Sequence, residues 1–474
     1  MYDVLIIGAG IVGCAIAREL SKNELNIAVV EKGYDVSCGS TKANSGIVHA
    51  GYDAHEGTLK AKLNVRGCEM YEGLCKELDV PYKNNGSLVV AFNEEEQKEV
   101  EVLYKRGITN GVPNLKIIEK NEILSMEPNI KDNVICALYA PTAGIVSPFE
   151  MAIALGENAC ENGVEFIFNC EVSNIYKDKD KFMVETNRGI FEANYVVNAA
   201  GINSDKISKM LSGRIFSMIP TRGEYCLFDK IIGDLVEKTI FPTPTEKGKG
   251  ILVSPTVHGN IFIGPNAIYQ EDREDTSTYI EGINEILYGA QKNVNGIDMR
   301  YVITSFAGIR SKTNVGDFII DIPQRGAVNA AGIESPGLTS APAIAEMVVS
   351  LLCDQGLVLR KKKYFKANRS NTKKFIEMND EEKKKALEQN PLYGRIICRC
   401  EHITEGDIVN AIRRPLGAIS VDGVKKRVRA GMGRCQGGFC MPRVMEILER
   451  ELNIDRKNIN KDGPGSYILT GRTK

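Results

Sequence analysis

Several things are missing from this 474-residue chain, and most of the gaps exclude something. No uninterrupted apolar run approaches the roughly 18 residues of a bilayer span; the longest candidate, AIAEMVVSLLC, is short and carries Glu346. A surplus of either charge is also missing. With 60 basic and 61 acidic side chains the net charge is −1, and the balance offers nothing to nucleic acid. The N-terminus runs straight into a strand pattern with no charged leader or cleavage site. Thirteen cysteines, an odd number in a long chain, do not read as a disulfide framework, so the expected setting is the reducing cytoplasm. Tryptophan is absent too, which decides nothing. Internal repeats and low-complexity tracts are not found.

What is present is enough apolar residue, 43%, to bury the cores of two or three domains. YDVLII is an apolar run of strand length, GAGIVG turns the chain, IVGCAIARELSKN has helical spacing, and NIAVVE reads as a second strand. That is a βαβ unit. FIFN, KFMVET and YVVNAAG read as a meander returning to its sheet, while GEYCLFD, GILVSP, NIFIGP and RYVITSF suggest a second, largely antiparallel sheet. NAAGIESPGLTSAPAIAEMVVSLLC reads as strand, Gly/Pro-rich turn and long helix. After Cys353 the composition shifts: eight Lys/Arg and no acid lie between Arg360 and Lys374, and the acid-rich EMNDEEKKKALEQNP follows. This stretch reads as a solvated helical linker, with a docking face for a partner as the alternative.

Gly8, Gly10 and Gly13 form GxGxxG between strand and helix. The first glycine permits the tight turn, the second lets a pyrophosphate approach the backbone, and the third lets helix and strand pack closely. Chance supplies the pattern about 0.4 times in a chain this rich in glycine, so placement carries the assignment. Glu31 ends the next strand, 18 residues after Gly13, where a carboxylate accepts hydrogen bonds from an adenosine ribose. Ser40, Thr41 and Ser45 add hydroxyls in the loop that follows. Pattern alone leaves FAD and NAD both open.

Near the other end, Cys398 and Cys400 form CxC, Cys435 and Cys440 form Cx4C, and 34 residues separate the pairs. Chance would put about 1.2 cysteines in that window, so four argue for ligation. Four thiolates suit zinc or an iron-sulfur cluster. The glycines around Cys435 and Cys440 leave backbone amides free to approach cluster sulfides. The other nine cysteines, Cys38 among them, read as small core or surface residues.

Taken together, GxGxxG with Glu31, STKANSGIVHAGYD, VVNAAGINSD, FAGIRSK and GIESPGLTSAPAIAE resemble the FAD-dependent D-amino-acid oxidase superfamily. The likeness spans roughly residues 1 to 355. Within that superfamily it is greatest to glycerol-3-phosphate dehydrogenases and oxidases, with L-2-hydroxyglutarate dehydrogenases close behind. Residues 393–450 resemble the bacterioferritin-associated-ferredoxin-like 2Fe-2S domain, in the longer Cx4C form appended to some glycerol-3-phosphate dehydrogenases. The resemblance implies an α/β fold: a Rossmann-like FAD-binding domain (1–85, 140–215, 300–355), an antiparallel-sheet substrate domain (86–139, 216–299), a charged linker (356–392), a small helical 2Fe-2S domain (393–450) and a tail (451–474).

Positions carry over with it. Gly201, Gly337, Leu338 and Thr339 fall on the cofactor side, with amides at a helix start facing the anionic edge of the reduced flavin. His49 falls beside the flavin, as general base or as a positioning group, since oxidising a secondary alcohol removes a hydride from carbon and a proton from oxygen. Arg310 is the implied anion-binding guanidinium, with Lys249 and Ser335 on the substrate side. His55, His258 and His402 read as structural. The implied activity is oxidation of sn-glycerol 3-phosphate to dihydroxyacetone phosphate, with hydride passing to flavin and single electrons passing through the cluster to a protein partner. The cluster favours a dehydrogenase over an oxidase. The alternatives are a 2-hydroxy-acid dehydrogenase, or a cluster domain serving as redox sensor or interaction module. Any membrane association is expected to run through the partner.

Overall fold

The structure, a computed structural model, describes residues 1–244, 250–370 and 373–471. The chain opens as its glycines require. Tyr2–Ile7 pairs in parallel with Ile27–Val30 on one side and Gly189–Asn198 on the other. Between the first two strands lies the helix Ile11–Leu20, nine of whose ten residues are buried. Gly8 has φ +107°, and a Cβ there would lie 2.4 Å from the Ala199 carbonyl oxygen. A Cβ on Gly13 would lie 1.9 Å from the Gly8 carbonyl oxygen. Only glycine lets this strand and helix approach so closely.

Among the described residues the first sheet has eight strands, running from the meander Val172–Asp178, Lys181–Thr186, Gly189–Asn198 through Tyr2–Ile7 and Ile27–Val30 to Glu165–Ile167. Ala327–Ala331 joins it in parallel beside Gly189–Asn198. The helix Gly337–Asp354 is long and apolar enough, by length and composition, to cross a membrane. It packs instead against Ile11–Leu20 and Leu59–Leu78, with eleven residues buried. A Cβ on Gly67 would meet the Thr339 carbonyl oxygen at 2.1 Å, so these two helices touch backbone to backbone.

Among the described residues the second sheet has nine strands and is antiparallel except where Thr239–Pro242 runs parallel to Ser87–Ala91. Towards one edge, Thr221–Phe228 is flanked by Ile261–Gly264 and by Val302–Arg310. The last of these corrects the expected boundary at residue 300. Val302–Arg310 pairs along the whole of Thr221–Phe228, and Phe306 stacks on Tyr225 at 4.8 Å, so the substrate-side sheet ends after Arg310.

The segment expected as a solvated helical linker is different in its first half. The Glu24 amide donates to the Arg360 carbonyl, the Lys366 amide to Asn162 Oδ1 (2.9 Å), and Arg369 faces Glu157 at 3.4 Å. The acids that balance this basic run sit on the helix Pro148–Glu161, some 200 residues earlier. Among the described residues of this segment, only Asp380–Gln389 is a solvent-facing α-helix, closed at its N-terminus by an Asn379/Glu382 capping box.

Helices Glu405–Arg413, Val421–Val428 and Met441–Leu452 build a separate C-terminal core around Ile408, Val424 and Leu448. Ile459, expected in a tail, is fully buried in that core. This unit is docked on the rest by charge. Arg427 makes a bidentate pair with Asp35 (2.8 Å to each oxygen), Lys426 adds a 3.2 Å contact, Lys42 meets Asp462 at 3.0 Å, and Lys230 meets Glu401 at 2.9 Å.

Candidate functional site

A cavity of about 2040 Å³ runs between the two sheets, from Gly8 and Glu31 at one end to His49, Arg310 and Ser335. At the glycine end the helix Ile11–Leu20 begins without a side-chain cap and with no acid in its first turn. Apart from the Ile11 amide, which donates to Thr41 Oγ1, the amides of its first turn favour an anion. Glu31 is held in place by the Ala9 and Gly33 amides, each donating at 2.7 Å to a different carboxylate oxygen, which leaves each oxygen a free lone pair. Thr41 Oγ1 accepts from the Ile11 amide (3.0 Å) and Ser40 donates to the Ile309 carbonyl, so the two hydroxyls tie the loop to the first helix and to the second sheet. Gly10 and Gly201 also line this wall, the latter at φ +55°.

The helix Gly337–Asp354 opens on the same cavity, again without a side-chain cap or first-turn acid, and presents Gly337 and Leu338. Thr339 lies behind them and is fully buried; its hydroxyl accepts from the His49 amide (2.9 Å) and donates to the Ile47 carbonyl (3.3 Å), so only its backbone is available to a cofactor. His49 Nε2 stands 3.5 Å from Ser335 Oγ, and its carbonyl accepts from Asn64 Nδ2 at 2.8 Å. Across the cavity, Arg310 Nη2 donates to the Asn266 carbonyl (2.8 Å), and its other donors make no hydrogen bond among the described residues. Gly223 makes room for it, since a Cβ there would lie 2.9 Å from that Nη2. The cavity thus gathers His49, Ser335, Arg310, Ser45, Gly8, Gly10, Gly201 and Gly337, whereas Gly13 lies behind its wall against Gly8 and Lys249 lies outside the described residues.

Tyr225 and Asn266 were not anticipated. Tyr225 Oη stands 3.4 Å from Ser45 Oγ, and burial pushes its phenol above the ordinary range. The alternation in GEYCLFD marks Tyr225 as facing one side of a strand, but which side meets the cavity depends on distant pairing. His258, expected to be structural, bonds Glu150 at 2.7 Å.

An FAD fits what this cavity offers: a glycine cradle that a Cβ would fill, a carboxylate ordered by backbone amides, and two helix N-termini without first-turn acids opening on one long space.

The four C-terminal cysteines stand as two pairs. Cys400 and Cys435 have their sulfurs 3.7 Å apart, and Cys398 is hydrogen-bonded to Cys440. Cys398 is brought down to about 6 by that hydrogen bond and by the backbone amides around it, with burial opposing. Among the described residues no three His, Cys, Asp or Glu side chains gather to hold a single metal ion. Two thiol pairs match a two-iron cluster, whereas zinc requires one tetrahedral quartet. A Cβ on Gly433 would lie 2.3 Å from that of Cys400, so this glycine is what allows the two cysteine segments to meet.

Comparison with known proteins agrees. Residues 3–351 match the family model of FAD dependent oxidoreductases, and residues 396–450 match the BFD-like 2Fe-2S binding domain. A glycerol 3-phosphate dehydrogenase of Caloramator mitchellensis is 52% identical over 476 residues, covering 100% of this chain and 99% of its own length. The mitochondrial L-2-hydroxyglutarate dehydrogenase of Homo sapiens is 33% identical over 58% of this chain and 62% of its own. Among solved structures, the dithionite-reduced L-alpha-glycerophosphate oxidase of Mycoplasma pneumoniae with FAD bound superposes with a TM-score of 0.74 at 31% identity, over 78% of this chain and 99% of that one. The chain belongs to the FAD dependent oxidoreductase family and carries a BFD-like 2Fe-2S binding domain at its C-terminal end.

Proposed function

We propose that this chain oxidises sn-glycerol 3-phosphate to dihydroxyacetone phosphate and passes the electrons through its C-terminal cluster to a protein acceptor in the cytoplasm. The observation that carries the reading is the convergence of a free-forked guanidinium, Arg310, with the His49/Ser335 pair on one cavity. The full-length similarity to a glycerol 3-phosphate dehydrogenase supports it.

Bound FAD supplies a two-electron oxidant and the cluster a one-electron carrier. The protein's own part is binding, orientation and proton handling. Arg310, held by Asn266, grips the phosphate with its unused donors, a geometry that suits an oxyanion. His49 takes the hydroxyl proton at Nε2, with Ser335 Oγ steering the alcohol oxygen toward it. The amides at the start of Gly337–Asp354 and the Ile11–Leu20 helix end favour the negative charge of the reduced ring and of the pyrophosphate. Glu31, Ser40, Thr41, Ser45 and Gly201 hold the remainder of the cofactor, and the four cysteines hold the cluster.

Arg310 would also hold a carboxylate, so anaerobic mixing is run with glycerol 3-phosphate and with L-2-hydroxyglutarate. Rapid flavin bleaching by the first alone is expected. Bleaching by the hydroxy acid alone overturns the substrate assignment.

A further inference from the structure

We propose that the surface around Cys400 and Cys435 is the docking site of an acidic, one-electron carrier protein. This rests on the reading above, in which electrons leave through the C-terminal unit. It adds where they leave and what kind of partner takes them.

The four cysteines are not equally placed. Cys398 and Cys440 are 1% and 3% exposed, whereas Cys400 is exposed and Cys435 partly so, and the two face each other at 3.7 Å. The Cys400/Cys435 end therefore opens outward. It lies at the rim of the contact with the rest of the chain, since Glu401 reaches Lys230 and Arg434 comes within 4.0 Å of Asp229. A partner seated there would touch the cluster's exposed edge without displacing the C-terminal unit.

The surroundings of that opening are unusual in two ways. Phe439, whose backbone amide hydrogen-bonds the Cys435 sulfur, is 87% exposed, the only exposed phenylalanine among the described residues. An aromatic ring held in water beside a redox centre is the profile of a contact anchor. The second feature is charge. Arg399 makes no ion pair among the described residues, and Arg434 is 73% exposed. Over 393–450 there are eleven basic and six acidic residues, but Arg414, Lys426 and Arg427 are spent on Glu157 and Asp35 and Arg413 on Glu451, so the charge at this opening rests on Arg399 and Arg434. The acids of this unit are already engaged: Glu401 by Arg429, Glu405 by Arg395 and Arg450, and Glu446 by Arg443. The opening thus sets the exposed Phe439 beside Arg399, which makes no ion pair among the described residues, and Arg434, whose only ion pair among them is a 4.0 Å contact to Asp229, and it complements a carboxylate-ringed partner.

The electron count sets the size of each encounter. Converting the alcohol to the ketone releases two electrons and two protons, so two oxidised one-electron carriers must each accept one electron at this face per substrate. A partner that comes and goes suits small, charge-steered contacts better than a large permanent interface.

The test uses the full-length holoenzyme immobilised on a sensor surface, with rubredoxin as the acidic probe and cytochrome c as the basic one. Rubredoxin should bind saturably and weaken at least ten-fold between 50 and 300 mM salt. The double variant Arg399→Glu/Arg434→Glu should weaken rubredoxin at least ten-fold and strengthen cytochrome c, and Phe439→Ser should weaken rubredoxin at any salt concentration. Iron content and visible spectrum check that each variant keeps its cluster. Flavin bleaching by glycerol 3-phosphate is followed in the same preparations, so a failed substrate assignment is told apart from a failed docking site. The proposal is overturned by no saturable binding of rubredoxin, by binding indifferent to salt and to both variants, or by wild-type preference for cytochrome c. It is equally overturned if the patch instead binds phosphatidylglycerol vesicles, or if Phe439→Ser converts a dimer to monomers.

Discussion

Replacing Asp35 by alanine should release the C-terminal unit from the rest of the chain without unfolding either part. The Asp35 carboxylate is 6% exposed and sits between the fully buried Arg427 guanidinium and the Lys426 ammonium, at 2.8 Å and 3.2 Å. Removing it strands two cations in a water-poor interface, and breaking a buried pair in this way costs about 3–5 kcal/mol. That lowers the docked-to-undocked ratio by a factor of roughly 150 to 5000. The loss should be local, because the C-terminal unit has its own core around Ile408, Val424 and Leu448. Proteolysis between residues 356 and 392 reads undocking directly, and urea titration followed separately at flavin and cluster wavelengths reads the free energy. A triple change, Asp35→Leu with Lys426→Met and Arg427→Met, should recover most of the loss, since apolar groups of similar volume replace buried charge at little cost. Acid provides a second route. Burial opposes ionisation of Asp35, but Arg427 and Lys426 outweigh it and hold its carboxyl below the ordinary value. Its contribution is therefore complete above the unfolded carboxyl range and is lost as pH falls through the lowered native value. Wild-type docking should weaken as pH falls below the ordinary carboxyl value of about 3.9 and toward the lowered native one, while that of the triple variant does not. A change of less than about 1 kcal/mol for Asp35→Ala, with unaltered proteolysis, would refute this account of the interface.

Three further outcomes are expected. Gly13→Ala places a methyl 1.9 Å from the Gly8 carbonyl oxygen, so the purified variant should lack flavin absorbance while retaining iron. Arg310→Ala should lower kcat/KM for glycerol 3-phosphate by about 10- to 150-fold, the worth of charged hydrogen bonds of about 1.5–3 kcal/mol, with partial recovery in Arg310→Lys. Glu150 is held down to about 2, burial opposing and His258 prevailing, so its contribution is present above its unfolded value near 4.5 and disappears as pH falls toward 2. Urea midpoints between pH 5 and pH 3 should accordingly fall more steeply for wild type than for Glu150→Gln.

The parts of this protein legible in its sequence are those whose requirements are local. Gly8 needs a positive φ and Gly13 a missing Cβ within six residues of each other, so GxGxxG after YDVLII announces strand, turn and helix at once. The two close cysteine pairs announce a ligand set for the same reason. What depends on distant partners was harder to read. The strand Val302–Arg310 belongs with Thr221–Phe228, some eighty residues earlier, and no local pattern says so. The basic run after Arg360 looks solvated until Glu157 and Glu161 arrive from another helix. Asp35 and Arg427, 392 residues apart, each look like surface charges, and only their meeting reveals how the cluster unit is held. Tyr225 joins the cavity wall for the same long-range reason.

The central claim is that electrons from the alcohol pass from FAD to the cluster in one chain. Anaerobic titration of the holoenzyme with glycerol 3-phosphate, with flavin and cluster absorbance recorded together, tests it most directly. The account predicts that flavin bleaching is followed by loss of the cluster's oxidised bands before any external acceptor is added. A flavin fully bleached beside a cluster that stays oxidised, or no bleaching at all, would contradict it.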